Sequence, residues 1–273
     1  MRFDIQQVAA ADALPLFSAL YGADGPEFAA VIAQLAPVWQ VGDGERLLGV
    51  LGLRPATAHG SELMGGASAG GSQVEVATRL LLAARPHQPK LYAYAEDHLL
   101  PALALEQAGF TSVSAYTRMS GPLPTLEPRV PAGFTLRPLA EISDTRVRFA
   151  AQETYADQIG HTPTSQEAVE PGAGGSEESL GWLAFDADGL PVGVLRVWRD
   201  GETVSLSTPG VHSAHRATGL RRTLILAACQ SAREAGASSL VMEAWGDTEQ
   251  QRQDDLNLGL SLDVLTPIYA TGS

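Results

Sequence analysis

The residues between Val211 and Arg222 carry the chemistry most easily read from this chain. Arg216, Arg221 and Arg222 flank Gly219 there. A β-like run, 203–207, leads into the segment, and a helical apolar pattern, 220–235, leaves it. The first turn of a helix presents backbone N–H groups with no intrahelical partner, and the helix dipole makes that end positive. Glycine lets a phosphate approach the backbone, and arginine adds charge-assisted donors. The segment from Gly210 and Val211 through Arg216, Ala217, Thr218, Gly219 and Leu220 to Arg221 and Arg222 is therefore expected to hold a phosphate or pyrophosphate. The alternative for so short a motif is a solvated helix start. No Gly-Lys-Ser/Thr closes the loop, so it is not a Walker loop, and it lacks the Gly-x-Gly-x-x-Gly fingerprint of dinucleotide folds.

The surrounding elements must position that loop. The helix following it should end at Gly236, which suits a left-handed cap. A strand-like run, 239–245, comes next, then a helical stretch at about 249–258, then Gly259-Leu260 and a strand-like run, 262–269. Upstream, 133–139, 182–186 and 191–197 also read as strands. This order and this loop resemble the second half of a GNAT acetyltransferase, whose acyl-CoA pyrophosphate loop follows the pattern Val-x-Pro-x-x-Arg-x-x-Gly-x-Gly/Ala. Val211, Arg216 and Gly219 fall in register with it. Ser213 stands in place of the proline, and Arg221 in place of the last small residue. The resemblance covers roughly 132–273.

The first half echoes the second. Residues 39–53 parallel 182–197, and 91–110 parallel 241–260, the second pair ending on Gly109-Phe110 and Gly259-Leu260. Self-similarity at domain length points to duplication. The expected architecture is α/β (α+β): two tandem GNAT acyl-CoA N-acyltransferase domains, each a mixed twisted sheet flanked by helices. It is similar to the tandem group that includes mycothiol synthase. The expected boundaries are 1–124, a Pro-rich linker at 125–131, and 132–273, the linker read from the prolines clustered between Gly121 and Pro131. In the first copy the stretch matching the basic loop, 64–73, has glycines but no arginine before Arg79, so that copy is expected to have lost acyl-CoA binding.

What the resemblance implies is acetyl-CoA-dependent N-acetylation of a small amine, with acetyl-CoA as acyl donor bound by the C-terminal domain. Such transfer needs a polarised thioester carbonyl, an uncharged amine and a protonated leaving thiolate. Pro209-Gly210 is expected to bulge and open a slot for the thioester. Glu243, on the strand after the basic helix, is the candidate base. The family's usual acid is a tyrosine on the last helix, where this chain has Asp255; an asparagine common upstream of it aligns with Thr248. Tyr269 is the candidate acid in its place, or else a packed aromatic of the last strand. The acid-rich segment 152–178 would shape the acceptor cleft or form a solvated loop. The departures at Arg221 and Asp255 keep open a noncatalytic GNAT-fold binding or scaffold protein.

A formal net charge of −13 argues against nonspecific nucleic-acid or anionic-membrane binding and makes the basic loop a local exception. Hydrophobic residues make up 45% of the chain, enough for sizeable cores. The single cysteine, Cys229, cannot form an intramolecular disulfide, and residues 1–7 contain no signal-type apolar run. The expectation is a cytoplasmic protein with no metal, a homodimer being one assembly open to it.

Overall fold

In a computed structural model, which describes residues 3–43, 46–56, 59–161 and 163–272, the chain forms two compact units. Met1 and Arg2, at the head of the stretch read above for a signal peptide, lie outside the described residues. Unit 1 comprises Met1–Ala115 together with Thr266–Ser273, and unit 2 comprises Tyr116–Leu265.

Unit 1 opens with β1 (Asp4–Val8), α1 (Ala10–Tyr21), α2 (Pro26–Ile32), β2 (Val38–Gly42), β3 (Leu47–Pro55) and β4 (Ser61–Ala67). It continues with α3 (Gln73–Ala84), β5 (Leu91–Tyr94) and α4 (Ala102–Gln107). β1 to β4 pair antiparallel in chain order, and β4 pairs parallel with β5 through Ser61↔Leu91 and Glu62↔Tyr92. The α3 sequence places Val76, Ala77, Leu80, Leu81 and Ala84 on one face, the spacing of an amphipathic helix. That stripe is buried with Leu51, Leu53 and Leu63 of the sheet. The far side of β5 is covered by the end of the chain, which pairs antiparallel with it through Ile268↔Tyr94, Tyr269↔Ala93 and Ala270↔Tyr92.

Strand β6 (Thr111–Pro122) carries the chain out of unit 1. Unit 2 then contains β7 (Thr135–Pro138), α5 (Thr145–Glu153), β8 (Trp182–Phe185), β9 (Pro191–Leu195), β10 (Val197–Asp200), β11 (Thr203–Leu206) and β12 (Gly210–Val211). Next come α6 (Leu220–Glu234), β13 (Ser239–Asp247), α7 (Glu249–Leu256) and β14 (Ser261–Ala270), the last shared with unit 1 from Thr266 onward. β6, β13, β11 and β10 are neighbours in that order in one sheet, and β12-β9-β8-β7 forms another. Leu220, Leu224, Ile225, Ala228 and Cys229 of α6 pack on Val204, Leu206, Leu240 and Met242. The helix ends at Gly236 with φ 88°, the left-handed conformation its position demands. Burial pushes the Cys229 thiol up to about 12, so it packs as a small hydrophobe.

These divisions differ from 1–124, 125–131 and 132–273. Residues 116–122 of β6 belong to unit 2, and Thr266–Ser273 returns to unit 1. The proline-rich stretch is tied down along α6: Arg233 donates to the Pro124 carbonyl at 2.6 Å, and Thr223 donates to that of Arg129 at 2.8 Å. Prolines made the segment extended, but its carbonyls found donors on the helix, so it is part of unit 2.

Candidate active site

The site begins where the strand before the basic loop changes partners. β11 pairs parallel with β13 from Thr203↔Ser239 to Leu206↔Met242. Ser207-Thr208-Pro209 then interrupts it, and β12 pairs instead with β9 through Gly210↔Val194 and Val211↔Gly193. Proline cannot donate to a ladder, so the interruption falls at Pro209. β12 and β13 thus part, leaving a cavity of about 190 Å³ lined by Ser207, Thr208, Trp245 and the overlying Gln152, Tyr155 and Gln158.

Beyond Val211 the loop makes a 3-10 turn, Ser213–Thr218, before Gly219 and α6. Gly219 has φ 85°, and a Cβ there would meet nothing within 4 Å. The first backbone bond into the helix runs from Thr223 N–H to the Gly219 carbonyl. The N–H groups of Leu220, Arg221 and Arg222 precede it, as expected of a helix start. A second cavity, of about 80 Å³, lies here, lined by Val211, Arg216, Gly219, Arg221, Arg222 and Asp255 among others. The space outside Gly219 is open but its φ of 85° strains any side chain, so Gly219→Val should cost unit 2 about 1–3 kcal/mol while placing a branched side chain where a phosphate would approach. Wild-type CoA affinity in that folded variant, measured by titration calorimetry, would count against a pyrophosphate at this glycine.

The three arginines separate. Arg216 donates from Nε to the Val211 carbonyl at 3.0 Å and grips the Asp157 carboxylate with both terminal nitrogens, one at 3.0 Å. Arg221 is turned away from the loop: its guanidinium holds Asp255 bidentately at 2.7 and 2.8 Å and lies 3.5 Å from Asp247. Both carboxylates are buried, with side chains 1% exposed. Burial, the nearest acid and the position of α7 thus draw Arg221 into an ion triad instead of toward a ligand. Arg222 remains exposed beside Gly219. Asp255, at the family's tyrosine position, is occupied by Arg221, and Thr248 caps α7 by a reciprocal bond pair with Gln251. His212 accepts from the Ala214 N–H, so it too serves the loop's own turn.

Of the candidate catalytic residues, Glu243 lies on β13 two residues before Trp245, on the same side of the strand as that cavity-lining ring. Tyr116 stands close enough to feel its charge: the phenol is pushed up first by burial and then by the Glu243 carboxylate. The Tyr116 ring packs on Trp245, centroids 5.0 Å apart. Tyr269 belongs to unit 1, where its hydroxyl donates to Glu106 at 3.0 Å. Sequence reasoning missed Tyr116 because β6 was assigned to the first half. Tyr155, Asp157 and Gln158 fall in the segment 152–178 read as shaping the acceptor cleft, but nothing local marked Asp157 as the partner of Arg216. Within the acid-rich segment, Glu178 is bound to buried Arg148. Burial raises the Glu178 carboxyl, but Arg148, the Gly172 N–H and Ser176 outweigh that and hold it below its ordinary range.

The corresponding place in unit 1 is closed. Past Glu62 and Tyr92, the chain after β5 folds back on β4: the Ala67 N–H donates to the Leu99 carbonyl at 2.9 Å. A Cβ on Gly66 would stand 2.2 Å from that oxygen. Leu99 and Leu100 are buried, and Glu96 bridges to Leu100. Residues 68–72 alone join β4 to α3.

No protein-family model and no curated protein sequence matches this chain. Solved structures do. A GCN5-related N-acetyltransferase from Sphaerobacter thermophilus superposes with a TM-score of 0.54 at 18% identity, over 98% of this chain and 95% of that one. One from Anabaena variabilis ATCC 29413 superposes with a TM-score of 0.57 at 9% identity, over 98% of this chain and 72% of that one. The chain, which divides into two units, has the fold of the GCN5-related N-acetyltransferases. Among the described residues no helix is long and apolar enough to cross a membrane.

Proposed function

We propose that this protein is an acetyl-CoA-dependent N-acetyltransferase of a small amine, with the acyl-CoA site in unit 2. One observation carries the reading: β12 leaves β13 just before the glycine-containing start of α6. The equivalent opening in unit 1 is filled by Leu99 and Leu100. A slot between parting strands that runs to a helix N-terminus suits a long thioester with an anionic end. The N–H groups of Leu220, Arg221 and Arg222 and the side chains of Arg216 and Arg222 would hold the pyrophosphate, and the segment around Gly210 and Val211 would meet the pantetheine arm. The Arg221 side chain is withdrawn from this list, because Asp255 and Asp247 occupy it.

In the transfer, the amine nitrogen attacks the thioester carbonyl and the C–S bond breaks. Glu243, directly or through water, takes the proton the nitrogen sheds, and a proton returns to the thiolate sulfur. Tyr116, within reach of the Glu243 charge, is better placed than Tyr269 for that return, since it lies in unit 2 beside Trp245. A second reading, a noncatalytic acyl-CoA-binding module, is favoured by the Arg221–Asp255 pair at the position where the family resemblance leads one to expect a tyrosine. Thiol release from acetyl-CoA over a panel of amines separates the two: turnover supports the enzyme, and CoA binding without turnover supports the module.

The charge test is Arg216→Ala in the full chain. It should weaken CoA binding by about 1–3 kcal/mol, roughly five- to a hundred-fold in Kd, if Arg216 contacts phosphate. The loss should shrink at high salt and for pantetheine thioesters that carry no pyrophosphate. Equal affinities with equal salt slopes would remove Arg216 from the site.

A further inference from the structure

The Arg216–Asp157 pair joins the loop to a short segment that occupies the opening itself. Residues 154–161 cross from one parting strand to the other. On β12, the Tyr155 ring lies against Gly210 so closely that a Cβ there would come within 2.0 Å of it. On β13, Ile159 lies against Gly246, where a Cβ would stand 3.0 Å from the Ile159 carbonyl oxygen. Both seats depend on a missing side chain, so the segment is fitted to the opening. Between them Gln158 lines both the cavity of about 190 Å³ and that of about 80 Å³, and so stands where the two would join. Its Oε1 is buried without a hydrogen-bond partner. An unmet buried amide oxygen destabilises the arrangement that contains it.

We infer that Asp157 is an internal competitor for the acyl donor's pyrophosphate: paired with Arg216, it holds residues 154–161 in the opening between β12 and β13, and acyl-CoA enters by exchanging that carboxylate for phosphate. The inference rests on the acyl-CoA reading of unit 2. Every donor direction of the Arg216 guanidinium given a partner here points to the protein itself, Nε to Val211 and the terminal nitrogens to Asp157. A phosphate must therefore displace Asp157 to be gripped in the same way. The exchange is accessible, because the pair is 33% and 47% exposed, so an incoming phosphate reaches Arg216 without first unburying it. The pyrophosphate carries more charge than the carboxylate and gains the N–H groups of the α6 start. Release of Asp157 frees the segment at the point nearest Gln158, so cofactor entry and opening of the acceptor side become one event.

The sign of the consequence is unusual for a polar residue at a ligand site: its removal should improve binding. In the full-length protein, Asp157→Asn should tighten CoA binding about three- to tenfold at low salt, since it removes both the competing anion and its repulsion of phosphate. Arg216→Ala should weaken it. Without ligand, amide hydrogen exchange over 154–161 should quicken in Asp157→Asn and also in Arg216→Ala. CoA added to wild type should quicken exchange in the same residues. Asp157→Asn binding CoA no more tightly than wild type, or unchanged exchange over 154–161 in that variant, would overturn the competition. CoA bound by neither protein would overturn the acyl-CoA reading and the competition with it, a result distinct from a wild type that binds and a variant that gains nothing.

Discussion

Ending the chain after Leu265 should unfold unit 1, although the deleted residues begin about 150 positions beyond Ala115, where the rest of the unit ends. Ile268 is fully buried and Tyr269 nearly so, both against β5. Thr271 and Leu91 exchange backbone N–H bonds with carbonyl and hydroxyl at 2.8 and 2.9 Å, and the Ala95 N–H donates to the Pro267 carbonyl. Burying one such apolar side chain is worth about 1.5–3 kcal/mol. Two of them, with the ladder bonds of an interior strand, amount to about 5 kcal/mol or more, within the range of a whole domain's stability. The truncated chain should show lost exchange protection over α3 and β2 to β5, while α6 and β13 keep theirs. Protection retained in α3 would mean that the last strand contributes little. The same geometry makes fragments cut at 124 and 132 poor test bodies: the first lacks its closing strand, and the second lacks residues 116–122 of β6.

Arg221→Met should destabilise unit 2 by about 3–5 kcal/mol, because it leaves Asp255 and Asp247 buried without a cation. Scaled to a unit of this size, that is a fall in Tm of about 6–20 °C. Asp255→Leu alone should do comparable damage, and the double variant Arg221→Met/Asp255→Leu should recover part of it, since the charge and its nearest partner leave together while Asp247 stays without a cation. Additive losses in that double-mutant cycle would show that the pair is not coupled.

Asp247 should behave in the opposite way. Burial raises its carboxyl above the ordinary 3.8, Arg221 lowers it, and Asp255 raises it again. A raised acid binds more protons folded than unfolded, so its contribution is fully present below pH 3.8 and is lost as pH rises through its folded value. Asp247→Asn removes that loss and can still accept the bond from Thr117. It should match or exceed wild-type stability at pH 7 and gain nothing at low pH. An Asp247→Asn loss at pH 7 as large as that of Asp255→Leu would show that both carboxylates are needed charged.

Much of unit 2's order was legible because its signals are local. The apolar spacing of 220–234, Gly236 in the left-handed region and the strand–loop–helix order depend on residues a few positions apart. So does Gly219, whose left-handed φ of 85° closes the turn Ser213–Thr218 that precedes the helix. The sequence also marked where the two copies differ, since residues 68–72 plainly lack arginine.

Partners distant in sequence were not legible. Arg216 and Arg221 look alike in the chain, yet one meets Asp157 and the other Asp255 and Asp247, choices made by which acids the folded elements bring within hydrogen-bond reach. Tyr269 seemed able to serve unit 2 because its strand begins there; pairing with β5 carries its hydroxyl to Glu106. The proline-rich stretch reads as a connector until Arg233 and Thr223 are seen to bind its carbonyls. Local backbone preference is written residue by residue, whereas a charge or a strand edge takes whichever partner lowers its desolvation cost, and only the folded chain decides which one is near.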